Sequence, residues 1–92
     1  MYDRIGRMNR VEPKNRFMTY CAFGSNYEIE ATYLYNCFVK FATHENLHIM
    51  DDDIFYALVN KLGYFKIYHN GRMYFKSITV NENKLKKFLN ES

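Results

Sequence analysis

The chain has no tryptophan, one proline, four glycines and two cysteines in 92 residues. Four scattered glycines exclude a glycine-rich phosphate loop. Cys21 and Cys37, even with His44, His48 and His69, lack the paired close spacings of a zinc site. Both cysteines fall in apolar helical patterns, so they read as small buried hydrophobes. His44 and His48 are four apart but sit at an expected helix end, where surface or core-edge roles explain them better than metal binding. Ser25 and Ser77 have no evident base partner, and no nucleophile–base pair or metal set exists to support an enzyme. No signal peptide and no apolar run of membrane-spanning length is present. The sequence therefore reads as a soluble, intracellular, non-enzymatic protein with no cofactor and no metal.

Aromatics are what the chain does have: nine tyrosines and eight phenylalanines, 18% of its residues. They supply much buried area from few positions, which helps a single domain of this size to fold. Net charge is +3 and the pI about 8.9, and the cations are unevenly placed. Arg4, Arg7, Arg10, Lys14 and Arg16 crowd the first sixteen residues, and Lys84, Lys86 and Lys87 the last ten. The middle carries Glu28, Glu30, Glu45 and the run Asp51-Asp52-Asp53.

Residues 64–80 hold no carboxylate at all, only Lys66, Arg72 and Lys76. Two β-branched and aromatic runs there flank Asn70-Gly71, the pair that best tolerates the positive φ angles of a type I′ hairpin turn. The bland alternative is that the basic residues are solvated edge protection and that Tyr68 and Tyr74 are cross-strand partners that merely stabilise the ladder. Upstream, Pro13 suits a first helical turn, with Phe17, Met18 and Cys21 at helical spacing and Gly24 ending the helix. Ser25-Asn26-Tyr27-Glu28 matches a capping box, and residues 27–30 equally suit a short strand. Over residues 31–44, Leu34, Cys37, Phe38 and Phe41 follow one buried helical stripe. Asp51 or Asp52 caps a further helix, its neighbouring carboxylates favouring the positive N-terminal end. Three consecutive carboxylates point in different directions, and the alternating ligand pattern of a calcium loop is missing. Ile54, Phe55, Leu58, Val59 and Leu62 form the apolar face of that helix, and Gly63 its C′ residue. Asn81 caps a last helix in which Leu85, Phe88 and Leu89 share a face.

These residues carry a resemblance. Leu34-Tyr35, Phe38 and Phe41, then Phe55, Val59, Gly63 and Tyr64, then Asn70-Gly71-Arg72 and Tyr74 resemble the C-terminal winged-helix domain of primase-helicases from phages, plasmids and large DNA viruses. More distantly, the pattern is similar to the DNA-binding domain of regulatory factor X transcription factors. The likeness covers residues 14–80, and Ser77 stands where the family commonly has glycine. It implies an α+β fold: a winged helix-turn-helix with three core helices, a C-terminal two-stranded β-hairpin wing and a short C-terminal helix. The expected organisation is a mobile basic arm at residues 1–12, a winged-helix domain at 13–80 and a short helix or tail at 81–92. Lacking a helicase engine, the chain is either an excised domain or, as the arm favours, a stand-alone protein.

Together the charge pattern and the resemblance imply a DNA-binding protein of a virus or mobile element, acting in replication or transcription control in the cytoplasm of a bacterium or host cell. The helix at residues 52–62 occupies the recognition position, but its carboxylates oppose a polyanion, and its outward residues are expected to be Asp53, Tyr56, Asn60 and Lys61. Contacts are therefore assigned to the hairpin and the arm: Lys66, His69, Asn70, Arg72 and Lys76, with Lys61, Arg4, Arg7, Arg10, Lys14 and Arg16. Duplex DNA is the favoured partner. Hairpin tyrosines that could stack on unpaired bases keep a single strand as an alternative. The rival reading is a docking module for a replication or host protein, with the acidic helix start and Tyr56 facing a basic partner.

Overall fold

The computed structural model describes residues 13–90, with side chains from Arg16 onward. The arm expected at residues 1–12, with Arg4, Arg7 and Arg10, lies outside the described residues, as does the side chain of Lys14. The elements run α1 (Pro13–Met18), β1 (Cys21–Glu30), α2 (Ala31–His44), α3 (Asp52–Lys61), β2 (Lys66–His69), β3 (Arg72–Val80) and α4 (Glu82–Asn90). Among the described residues this is an α+β arrangement of four helices and one antiparallel three-stranded sheet, ordered β1-β3-β2.

Helix α2 forms where its periodicity places it, and Leu34, Cys37, Phe38 and Phe41 are all buried. Its end is closed by Asn46, at a φ of 56°, and the Leu47 amide donates to the Ala42 carbonyl at 2.8 Å. Phe17 of α1 sits at the centre of the core, with ring centroids 5.6 Å from Phe38, 5.8 Å from Phe41 and 6.3 Å from Phe55. Phe38 and Phe55 stack at 4.8 Å, and Phe75 of β3 is buried beside them through Tyr56. Each fully buried ring removes enough apolar area to contribute about 1.5–3 kcal/mol. Five such phenylalanines, Phe17, Phe38, Phe41, Phe55 and Phe75, anchor the domain. Helix α4 joins the same core through Leu85, with Phe88 and Leu89 packed alongside. The Asn81 side chain caps that helix, accepting from the Lys84 amide at 3.1 Å.

The largest departure from expectation is β1. Cys21 and Gly24 do not extend α1, which stops at Met18; they lie in a ten-residue strand that includes Ser25-Asn26-Tyr27-Glu28, so no capping box forms there. The sheet therefore has three strands rather than the two of a simple hairpin. Pairing with β3, some fifty residues downstream, decides this, and local spacing carries no record of it. Only Ile29 of β1 is fully buried, so the alternation that marks a strand is short. The β1–β3 register is also interrupted between Phe23 and Glu28. Residues 24–27 lie there against Ser77 alone, which adopts a φ of 72°, the left-handed region that favours glycine. That irregularity shifts the phase of β3, so Phe75 and Ile78, three apart, both face the core.

The hairpin turn conforms: Asn70 and Gly71 have φ of 51° and 78°, both positive as a type I′ turn requires. A two-residue turn fixes the pairs His69–Arg72, Tyr68–Met73 and Ile67–Tyr74. Tyr68 and Tyr74 are thus not cross-strand partners, because neighbouring rows of a strand point to opposite faces. Tyr68 instead donates to Met73 Sδ at 3.4 Å, and Tyr74 meets the His69 ring edge-on at 5.5 Å.

On α3, Phe55 and Val59 are buried as expected. Ile54 and Leu62, assigned to the same apolar face, are exposed, while Tyr56, expected outside, is half-buried against Phe55, Tyr35 and Phe75. The ten-residue helix contacts the core along a narrow strip, which cannot cover both Ile54 and Leu62. Asp51 holds the N-cap position without a capping side-chain bond; the Asp52 carboxylate accepts instead from the Asp53 amide at 2.8 Å. Gly63 follows the C-cap Leu62 with a φ of 109°, as a C′ glycine should.

Candidate nucleic-acid interface

The hairpin and α3 hold most of the candidate residues, and the sheet order decides how their charges are presented. Strand β3 lies in the middle, with β1 on one side and β2 on the other. Register places Lys76 opposite Glu28, and Tyr74 between Glu30 and Ile67. Arg72, Tyr74 and Lys76 alternate with buried Phe75, so they share the sheet face turned away from the core.

On that face β1 supplies carboxylates. Arg72 lies 3.5 Å from Glu30, Lys76 3.9 Å from Glu28, and His69 Nε2 3.7 Å from the other Glu28 oxygen. The Arg72 and Lys76 contacts are loose ion pairs between partly exposed groups, each worth about 0–1 kcal/mol, so they are easily exchanged. Electrically, however, two lysine or arginine charges are offset by two carboxylates. The hairpin is basic in its own sequence and close to neutral on this face once β1 has paired.

The β2 side differs. Lys66 pairs in register with Phe75 on the outer strand of the sheet, is exposed, and has no carboxylate within ion-pair distance among the described residues. Lys61, at the C-terminal end of α3, is exposed and likewise lacks such a partner. The whole stretch of residues 54–81 is free of carboxylates. Two large rings stand out of this edge: Phe65 at 69% and Tyr68 at 68% exposure. The Phe65 carbonyl accepts from the Lys76 amide at 2.9 Å, which extends the β2–β3 pairing beyond Lys66. Phe65 had no place among the candidates read from sequence, although its position between Tyr64 and Lys66 in a carboxylate-free run was a usable signal. Neighbouring Tyr64 is already covered by Phe23, stacked on it at 5.5 Å.

The N-terminal end of α3 is acidic. Asp52, Asp53, Ile54, Ala57, Asn60 and Lys61 are its exposed residues. Tyr56 has its phenol pushed above the ordinary tyrosine value, first by burial and then by Asp52, Tyr35, Asp53 and Glu30. Tyr35 is raised by burial and by Asp52 and Asp51, and donates to the Met50 carbonyl at 2.8 Å. The carboxylates of α3 and of the β1 end thus converge on one corner, beside Arg72.

The remaining cations are dispersed. The Arg16 guanidinium is bonded to Glu45 and lies 5.8 Å over the Phe41 ring, away from the hairpin. Lys84 donates to the Thr19 carbonyl at 2.7 Å and sits over Tyr20. Between α2 and α4 a shallow groove of about 210 Å³ is lined by Tyr33, Cys37, Lys40, Leu85 and Lys86 among others; Tyr33 there donates to Glu82 at 2.7 Å. Cys21 and Cys37 are free thiols. Burial, reinforced by Cys37, pushes the Cys21 thiol up to about 12, and burial raises Cys37 too. Neither has the lowered pKa of a reactive cysteine. Among the described residues no group of three or more His, Cys, Asp or Glu could hold a metal ion, and no helix is long and apolar enough to cross a membrane. Compared with protein-family models, curated proteins and solved structures, the chain matches none of them.

Proposed function

We propose that this chain is a winged-helix nucleic-acid-binding domain whose working surface is the hairpin tip and the β2 edge. The element order, two helices followed by a hairpin that pairs with a strand placed ahead of them, supports the winged-helix reading. The single observation carrying the function is the exposed, carboxylate-free run at residues 54–81, with Lys61 and Lys66 unpaired among the described residues and Arg72 at the turn. A role in replication or transcription control of a virus or mobile element rests on the resemblance to primase-helicase domains alone.

Lys61, Lys66 and Arg72 together supply about three phosphate contacts, which gives a log–log salt slope near −2.7 on duplex DNA before any contribution from the arm. The test is a fluorescence-anisotropy titration of the full chain across a salt series, repeated with Lys61→Ala/Lys66→Ala/Arg72→Ala. The triple variant should lose at least tenfold in affinity and flatten the slope. Equal affinity for the variant and the parent would refute the assignment.

One observation favours the second reading, a docking module. The start of α3 exposes Asp52, Asp53 and Ile54 together, a combination suited to a basic protein partner with an apolar contact at its centre. On that reading Asp52→Asn/Asp53→Asn/Ile54→Ala abolishes a protein complex in pull-down. The alanine changes at Lys61, Lys66 and Arg72 leave the complex intact.

A further inference from the structure

We infer that the groove between α2 and α4 receives the acidic start of α3 from a second copy of the chain, so that copies associate head to tail. The inference goes beyond the nucleic-acid reading and does not depend on it. Tyr33, Cys37 and Lys40 of α2 line one wall of the groove, and Leu85, Lys86 and Leu89 of α4 the other. The two helices run alongside each other in the same direction, since Tyr33 bonds Glu82 near their starts and Phe41 meets Phe88 near their ends. Glu82 is thus held at one end of the groove, and Lys40 and Lys86 flank it towards the other. Both lysines are exposed and have no carboxylate within ion-pair distance among the described residues. An apolar cavity of about 150 Å³ takes a benzene ring, so a groove of about 210 Å³ admits one branched side chain.

The chain itself carries the matching projection. Asp52, Asp53 and Ile54 are all exposed on the first turn of α3, Ile54 at 54%. An exposed isoleucine alone is ordinary. This one stands beside carboxylates that have no cation partner among the described residues, the charge inverse of a groove flanked by lysines. Its own groove is out of reach. The start of α3 lies against the Tyr35 side of α2, where Tyr35 donates to the Met50 carbonyl and meets the Tyr56 ring. Tyr35 is two residues from both Tyr33 and Cys37, about 200° of helical rotation, so projection and groove lie on opposite sides of α2. Two different surfaces meeting make a heterologous contact, which leaves every pair a free groove and a free projection and adds copies in line or closes a ring. A contact centred on one side chain is smaller than the roughly 1,200 Å² of a stable interface, so it is weak and weakened further by salt.

The experiment is sedimentation velocity of the full chain from about 10 μM to about 1 mM, at low and at high salt. The sedimentation coefficient of the parent should rise with concentration, and high salt should shrink the rise. Asp52→Asn/Asp53→Asn/Ile54→Ala and Lys40→Glu/Lys86→Glu change only exposed residues and should each stay monomeric with the parent's circular dichroism spectrum. Mixed in equal amounts, the two variants should form a one-to-one dimer and nothing larger, because one supplies the groove and the other the projection. Asp52→Lys/Asp53→Lys added to Lys40→Glu/Lys86→Glu should restore association. Carbodiimide crosslinking of the parent, mapped by mass spectrometry, should join Asp52 or Asp53 to Lys40 or Lys86 between copies, and needs no variant to fold. A parent that stays monomeric at every concentration overturns the inference. So does association that survives either variant, and so does the absence of a dimer in the mixture, which would mark a symmetric contact or another surface. Oligonucleotide binding, measured on chain below about 1 μM where such a weak contact is open, tests the nucleic-acid function separately.

Discussion

Glu28 and Glu30 hold the cations that the hairpin would offer to phosphate, so removing their charge should strengthen nucleic-acid binding. In Glu28→Gln/Glu30→Gln, Arg72 and Lys76 lose ion-pair partners now 3.5 and 3.9 Å away. Exchanging such an exposed pair for a phosphate contact costs about 0.2–1 kcal/mol, which the substitution abolishes at each site. A carboxylate about 8 Å from a bound phosphate also repels it by roughly 0.5 kcal/mol in a water-like dielectric, reduced further by salt. Over two sites the gain is about 1–2 kcal/mol, a five- to thirtyfold tighter complex. The salt slope should steepen by close to 1 as Lys76 joins Lys61, Lys66 and Arg72 in meeting phosphate. Anisotropy across a salt series centred on about 0.1 M measures both quantities. Glu82→Gln, which removes a charge on α4 away from the hairpin, should change affinity far less than either single substitution. Folding stability should fall by no more than about 1 kcal/mol per pair. Unchanged or weaker binding by the double variant would refute the idea that β1 neutralises the hairpin.

Three further outcomes follow from the packing and the backbone. Ser77→Gly should stabilise the domain by about 0.5–1 kcal/mol, because the serine occupies a φ of 72° at the register break; an unchanged or lower denaturation midpoint would contradict this. Phe38→Ala, which removes a ring packed on Phe17, Tyr35 and Phe55, should cost about 3–5 kcal/mol and leave a domain this small largely unfolded by circular dichroism at 37 °C. The Cys21 thiol, pushed up to about 12 in the folded chain, ionises near 9 when unfolded. Its contribution is fully present below pH 9 and is lost as pH rises towards 12, and the raised phenols of Tyr35 and Tyr56 act in the same direction. The denaturant midpoint should therefore fall between pH 9 and pH 11, and native Cys21 should resist alkylation at pH 8 until the chain is unfolded.

Signals confined to a few residues were legible in the sequence. The stripe of α2, the Asn70-Gly71 turn, the Asn81 cap and the C′ glycine at position 63 each depend on neighbours within a turn or two, and each is found in place. The separation of Tyr68 from Tyr74 is legible as well, since a two-residue turn forces residue 68 opposite 73 and residue 67 opposite 74. The strand alternative at residues 27–30 holds, but the extension of β1 back to Cys21 could not be read locally. Its pairing joins Cys21 to Val80 and Glu28 to Lys76, and the apolar spacing of Phe17, Met18 and Cys21 is equally compatible with a longer helix. Helix α3 shows the converse limit. Its apolar period is real, but the strip it buries is narrower than the pattern, so Ile54 and Leu62 remain in solvent.

The same non-local pairing bears on the candidate interface. Had β1 added to the sheet beside β2, its carboxylates would lie next to Lys66, and Phe65 and Tyr68 would be covered by a neighbouring strand. Because β1 pairs with β3, the acidic residues meet Arg72 and Lys76 and the β2 edge keeps both its cation and its rings exposed. Strand order thus separates one basic hairpin into a neutralised face and an unneutralised edge. On this argument Lys66, rather than Arg72, is the first hairpin residue to replace. Lys66→Glu reverses the charge of the unneutralised edge and should reduce nucleic-acid affinity more than Arg72→Ala, whose charge is already offset by Glu30. Anisotropy on the two variants decides the order, and a larger loss for Arg72→Ala would return the binding surface to the turn.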